Sequence, residues 1–330
     1  MRCVAARIAL AALLALAGEG CMNGSAEPPT TKKSGDAFAA DREEAVKPAD
    51  FDAKRALGYL EALCKIGPRI SGSEGMKKQQ QMLEKHFKEQ GGQIEWQRFT
   101  VTQKSDPRRQ EVPMANLIVS WHPDRMRRFI LCSHYDTRPL ADREPDARNW
   151  RKPFLSANDG GSGVALLMEL AHHIKDMKIN VGVDFVFFDG EEYVFEESDE
   201  YFFGSKYFGR QYRRGRGKPF YGSAILLDMI AGKDPHFPID PYSWKQASDL
   251  VQAVWSIARE QQCAAFDGKA FGAEMKDDHV ALNQNGIPAI DIIDSKYPHW
   301  HKLSDVPENC SGASMEQVAK VLSVWLQRVK

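Results

Sequence analysis

FILCSHYDTRP, residues 129–139, reads as a strand that runs straight into chemistry. Phe129 to Ser133 is continuously apolar or small, the pattern of a strand buried on both faces. His134, Tyr135 and Asp136 follow without a break. The same arrangement recurs downstream. Val183 to Phe188 (VDFVFF) leads into Asp189-Gly190-Glu191-Glu192, and Ala224 to Leu227 (AILL) leads into Asp228. Pro288 to Ile293 is a fourth such strand, after which the chain reaches Trp300-His301. Between them lie helical patterns over Gly163 to Ile174, from about Gly204, and over Trp244 to Glu260, and a closing amphipathic one over Met315 to Val329. Upstream, Phe51 to Ile66 and Glu74 to Gln90 have helical spacing, and Ile94 to Val101 and Ala115 to Trp121 read as strands. Short buried strands alternating with helices predict an α/β fold: a three-layer sandwich, with a mostly parallel mixed sheet and helices on both faces.

In such sheets the ligand crevice lies at the carboxyl ends of the strands. Here those ends, with the loop Asn158-Asp159-Gly160-Gly161 before a helix, deliver His134, Asp159, Glu191, Glu192, Asp228 and His301 to one rim. Imidazole with carboxylates and no thiolate suits Zn²⁺ in an open, catalytic geometry. Glu191 and Glu192 are neighbours on a turn, so their side chains diverge. One can hold metal while the other faces the open position as a general base. Asp136 is expected to orient the His134 imidazole. His172, His173 and His236 are expected on the surface or in packing, His299 beside the site but solvated, and Arg213-Arg214-Gly215-Arg216 in an exposed loop.

Composition narrows the class. Of the 330 residues 43% are hydrophobic and 27% charged, as in a folded soluble protein, and the net charge of −1 argues against a nucleic-acid binder. Arg2, Arg7 and the apolar run Ile8 to Ala17 read as a signal peptide over residues 1–20, with Cys21 as a possible lipidation site. Residues 21–50, rich in Pro, Ser, Thr, Lys and Glu, read as a flexible tether, leaving 51–330 as a single catalytic domain. The expectation is an exported protein, periplasmic or at the outer surface, meeting a membrane only through a lipid on Cys21. Cys64, Cys132, Cys263 and Cys310 lack any CxxC spacing and are expected as buried thiols.

The order HYD, NDGGSG, FFDGEE, LLDMI, DDH and WH resembles the M28 family of zinc-dependent exopeptidases and cyclases, over nearly all of Phe51 to Lys330. Within it, His134 to Pro139, Leu226 to Ile230, Asp277-Asp278-His279, and Trp300-His301 with Asp305 and Glu308-Asn309 look like the glutaminyl-peptide cyclotransferase branch. The resemblance implies a zinc exopeptidase-like fold and one zinc on Asp159, Glu192 and His301. It implies Glu191 as the acid/base, in an acidic hydrogen-bond network with Asp228 and Asp277. Trp300 would line the pocket, and the substrate would be a peptide or protein N-terminus, with N-terminal Gln closing to pyroglutamate and ammonia leaving. The chain departs from the branch in three places. Tyr193 to Glu197 lacks a second pocket Trp, leaving Phe195 or Tyr193 as the wall. Val164 stands where a partner for Cys132 would be. Gly67-Pro68-Arg69 looks more like the aminopeptidases. A two-zinc aminopeptidase, with His134 and Asp228 on a second metal and Asp159 bridging, therefore stays open. So does a metal-free binding domain on the same fold, since fold does not guarantee activity.

Overall fold

The computed structural model describes residues 46–215 and 219–330. The expected signal peptide, Cys21, the tether up to residue 45, and Arg216 lie outside the described residues. The chain from Val46 is already packed. Val46 rests on the main core, the Ala49 amide donates to Ser323 Oγ at 3.0 Å, and Gln327 Nε2 donates to the Lys47 carbonyl. Residues 46–50 thus lie along the C-terminal helix, five residues before the boundary expected at Phe51.

Six strands form the main sheet: β1 (Gln93–Val101), β2 (Val112–Trp121), β3 (Arg127–His134), β4 (Gly182–Phe188), β5 (Phe220–Asp228) and β8 (Ala289–Ile293). Their order is β1-β2-β4-β3-β5-β8, and only β2 runs against the others. Helices α1 (Ala53–Lys65), α2 (Glu74–Glu89), α3 (Ser162–Leu170), α5 (Pro241–Glu260) and α7 (Gly312–Arg328) cover one face; α4 (Phe203–Arg214) and α6 (Asp278–Gln284) cover the other. The alternation along β3 shows why both layers form. Phe129 and Leu131 join the first core, while Ile130 and Cys132 join the second. Cys132 and Val164 therefore face opposite sides of the sheet, and a Cys at 164 would find no partner there. All four described cysteines are buried free thiols.

Three details differ from the sequence reading. α3 ends at Leu170 and continues in turns rather than reaching Ile174. Arg213 and Arg214 form the last turn of α4, where cations suit the carboxyl end of the helix dipole. A small sheet of β6 (Phe237–Ile239) and β7 (Phe266–Phe271), and the seven-residue α6, escaped notice because they are too short for periodicity to register. Among the described residues, no helix is long and apolar enough to cross a membrane.

Candidate active site

Strand register sets the rim. Within the parallel strands His134 lies beside Phe188, and Asp228 beside Ile293, so β3, β4, β5 and β8 end at one level. Backbone shape then aims the groups. Gly160 has φ +71°, and a Cβ there would stand 2.5 Å from the Asp136 carbonyl oxygen and 2.9 Å from His134 Cε1. Gly163 presses α3 onto the sheet, where a Cβ would meet Leu227 O at 2.6 Å. The glycines of NDGGSG are therefore needed for close approach.

Two buried aspartates fasten the loops that carry the acids. Asp136 accepts the amides of Glu191 and Glu192, one on each oxygen, both at 3.1 Å. Asp305 does the same for Asn158 (2.8 Å) and Asp159 (3.1 Å). The expected task of Asp136 changes accordingly. It stands 3.8 Å from His134 Nδ1, beyond a hydrogen bond, because its oxygens are directed at the Glu191-Glu192 turn.

The two glutamates part as their adjacency suggested. Glu192 Oε1 lies 2.6 Å from His301 Nε2, while Glu191 Oε2 lies 3.7 Å from His134 Nδ1. His301 Nε2 is 3.5 Å from Asp159 Oδ2, and its Nδ1 is 3.0 Å from Asp142 Oδ1. Arg138 in turn grips Asp142 through Nε and Nη2. This chain, Arg138 to Asp142 to His301, holds the proton on Nδ1 and leaves Nε2 as a ligand atom, an arrangement usual behind metal-bound imidazoles. Neither Asp142 nor Arg138 was singled out from sequence. Asp142 and His301 are 159 residues apart, and nothing local marks the pairing.

Ligand atoms of Asp159, Glu192 and His301 lie within 4.8 Å of one another, as do those of His134, Asp159 and Asp228, and those of His134, Glu191 and Glu192. Asp159 is shared by the first two groups. The residues fit a metal on a further count: Asp159 Oδ2 and Glu192 Oε2 are buried without a hydrogen-bond partner, a costly state that a cation relieves. The oxygen and nitrogen donors match zinc.

The electrostatics follow from crowding. Burial, then the Glu192 and Asp277 carboxylates, push the Glu191 acid well above its ordinary value. Burial and Asp228 push Asp277 up to about 7. Burial alone would lower His301, yet Glu192 and Asp142 bring it up to about 9. Burial likewise opposes a charged His134, but Asp136, Asp159 and Asp228 raise it well above the usual range. Its Nε2 sits 3.2 Å from Asp159 and 3.3 Å from Asp228.

These groups open into a cavity of about 570 Å³. Glu191, Asp228 and Asp277 share it, with Phe195 and Trp300 on its walls. Among the described residues no hydrogen bond joins the three carboxylates directly; Asp277 Oδ1 accepts its own helix amide at Asp278, and Asp228 turns toward His134. Of DDH only Asp277 reaches the cavity; Asp278 and His279 are fully buried, with His279 Nε2 3.2 Å from Asp240. Tyr193 points into the interior against Asp106 and Arg108, which leaves Phe195 as the wall. His172 bonds Tyr59 across the fold, and His299 bonds nearby Ser304.

Comparison with known proteins gives the family. The peptidase family M28 model matches residues 116–326. The chain is similar to a crystal structure of glutaminyl cyclase from Fimbriiglobus ruber, at 48% identity and TM-score 0.84, over 86% of this chain and 98% of that one. It is also similar to a structure described as a leucine aminopeptidase precursor from Bacteroides thetaiotaomicron, at 27% identity and TM-score 0.80, over 86% of this chain and all of that one. The glutaminyl-peptide cyclotransferase of Bos taurus is 23% identical over 241 residues, which is 64% of this chain and 65% of that relative, just short of two thirds of its length.

Proposed function

The chain belongs to peptidase family M28, and from that premise we propose that it is a zinc-dependent glutaminyl-peptide cyclotransferase, closing N-terminal Gln to pyroglutamate and releasing ammonia. One observation carries the reading. A three-ligand group, Asp159, Glu192 and His301, shares its cavity with a separate buried acid, Glu191, that is not needed as a ligand of that group. Zinc bound by the three residues would supply Lewis-acid polarisation of the substrate's side-chain carbonyl. The protein's own groups do the rest. Phe195 and Trp300 hold the Gln side chain curled, so that its α-amine stands near its own amide carbon. As the new N–C bond forms, Glu191 takes a proton from the amine. It returns that proton to the departing nitrogen as the old C–N bond breaks, and ammonia leaves. Burial and neighbouring carboxylates raise its proton affinity, which suits an acid that must carry a proton between steps. Asp277, also raised, faces the same space and supports the protonated form.

A second reading keeps a specific observation. His134, Asp159 and Asp228 form a further ligand group that shares Asp159 with the first, as a two-zinc aminopeptidase would require. One experiment separates the two. The purified protein is incubated with one peptide beginning in Gln and one beginning in Leu, and both are weighed by mass spectrometry. Loss of ammonia from the Gln peptide alone supports the cyclase. Removal of Leu, with two zinc ions per chain, would replace it with the aminopeptidase.

We further place the protein outside the cytoplasm, on the strength of Arg2, Arg7, the Ile8 to Ala17 run and Cys21. Mass spectrometry of the mature N-terminus tests this: a lipidated Cys21 supports an anchored form, and an intact Met1 ends the proposal.

A further inference from the structure

Arg143 is a cation on the cavity wall that, among the described residues, has no carboxylate partner. Its Cζ lies 4.8 Å from the centroid of the Trp300 ring. Among the described residues no ion pair or side-chain hydrogen bond engages this guanidinium, whereas Arg138, five positions earlier, is gripped by Asp142. The Trp300 ring packs against His301, centroids 4.2 Å apart, yet Trp300 remains 36% exposed. An indole that open keeps rotamer freedom unless something holds it, and a cation over its face is such a hold. The backbone clamp is independent of the side chain. The Arg143 amide donates to the His301 carbonyl at 3.1 Å, and the Leu303 amide donates to Glu144 Oε1 at 2.9 Å. Trimming the Arg143 side chain therefore leaves the two segments joined and the ligand His301 supported.

We infer that Arg143 is a positioning residue whose guanidinium fixes the Trp300 indole as the wall for the substrate's N-terminal side chain, so that it governs substrate capture more than the chemical step. The inference rests on the cyclase reading for its substrate but not for its contact.

The test uses Arg143→Ala, Arg143→Lys, Trp300→Ala and the Arg143→Ala/Trp300→Ala double variant of the whole protein. Arg143→Ala should raise KM for a Gln peptide about two- to tenfold while kcat stays within about twofold and zinc content is unchanged. Arg143→Lys should recover much of the loss, since an ammonium also sits over a ring. The double variant should be no worse than Trp300→Ala alone, as for two groups acting as a unit. Indole emission should change on Arg143→Ala, and not in a Trp300→Phe background. Additive KM effects, or loss of zinc and kcat together with KM, would overturn the inference. If the unmodified protein cyclises no Gln peptide, the cyclase reading alone fails, and the emission comparison still decides whether Arg143 holds Trp300.

Discussion

The two ends of the central sheet hold buried charge in opposite ways. At the amino end of the parallel strands, Asp184 takes two bonds from Arg128 and one each from Ser120 and Tyr221. Arg128 spends its remaining donors on the carbonyls of Trp121, His122, Arg125 and Val183. Every lone pair and proton has a partner. At the carboxyl end, Asp159, Glu191, Glu192, Asp228 and Asp277 crowd one cavity with His134, His301 and Arg138 as the basic groups beside them, and oxygens of Asp159 and Glu192 go without a hydrogen-bond partner. A saturated charge is structural, while a charge left short of partners in a cleft is waiting for a ligand.

That contrast can be broken in a graded way. The largest effect should come from removing a ligand at the carboxyl end. His301→Ala should lose both zinc and detectable turnover, and a zinc-replete variant would show that the ligand lies elsewhere. Next, Glu191→Gln should keep zinc and thermal stability while turnover falls by about 10²–10⁴; near-normal turnover would remove Glu191 from the acid/base role. At the opposite end, Arg128→Met should cost about 3–5 kcal/mol of folding stability, because it strands the Asp184 charge. The surviving folded fraction should keep its zinc and specific activity. Equal loss at both levels would erase the distinction between the two ends.

A smaller effect concerns pH. Burial raises Asp189, Asp277 and Asp305 from 3.8 to about 7. An acid that binds its proton more tightly when folded makes the protein less stable as pH rises from its ordinary value to its folded one. His301, raised from 6.5 to about 9, runs the same way: its contribution is complete below pH 6.5 and is lost as pH rises through 9. The zinc-free protein should therefore be more stable at pH 5.5 than at pH 8. Denaturant melts with chelator would check this, and a zinc-free stability that climbs with pH would contradict it. The smallest effect is expected from Trp300→Ala, which should raise KM about three- to tenfold without loss of zinc. No change in KM would move the substrate pocket elsewhere.

How much of this was legible in sequence depended on distance along the chain. Strand ends such as FILCS-His134 and VDFVFF-Asp189 announce themselves, because a buried run followed by an acid or imidazole is a local signal. Asp159, Glu191, Glu192 and His301 were found that way and through the motif resemblance, and they converge. What was missed is pairwise. Asp142 behind His301 is known only once segments 159 residues apart have met, and Arg138, four residues before Asp142, gains its part in the site only through that meeting. The work of Asp136 was misread for a related reason. Its nearness to His134 in sequence suggested an imidazole partner, while its oxygens meet amides 55 and 56 residues away. β6 and β7 left no trace because they are too short for alternation to register.

The paired grips of Asp136 and Asp305 have a consequence for the zinc centre proposed above, filled or empty. Each anchors two consecutive amides of a turn, so the turns bearing Glu191, Glu192 and Asp159 keep their outline whether or not an ion lies between them. Metal exchange then resembles changing a bulb in a rigid fitting rather than rebuilding the fitting around each new bulb. Uptake should be limited by shedding protons and water, with little rearrangement of chain, and protein stripped by a chelator should recover on adding zinc without passing through an unfolded form.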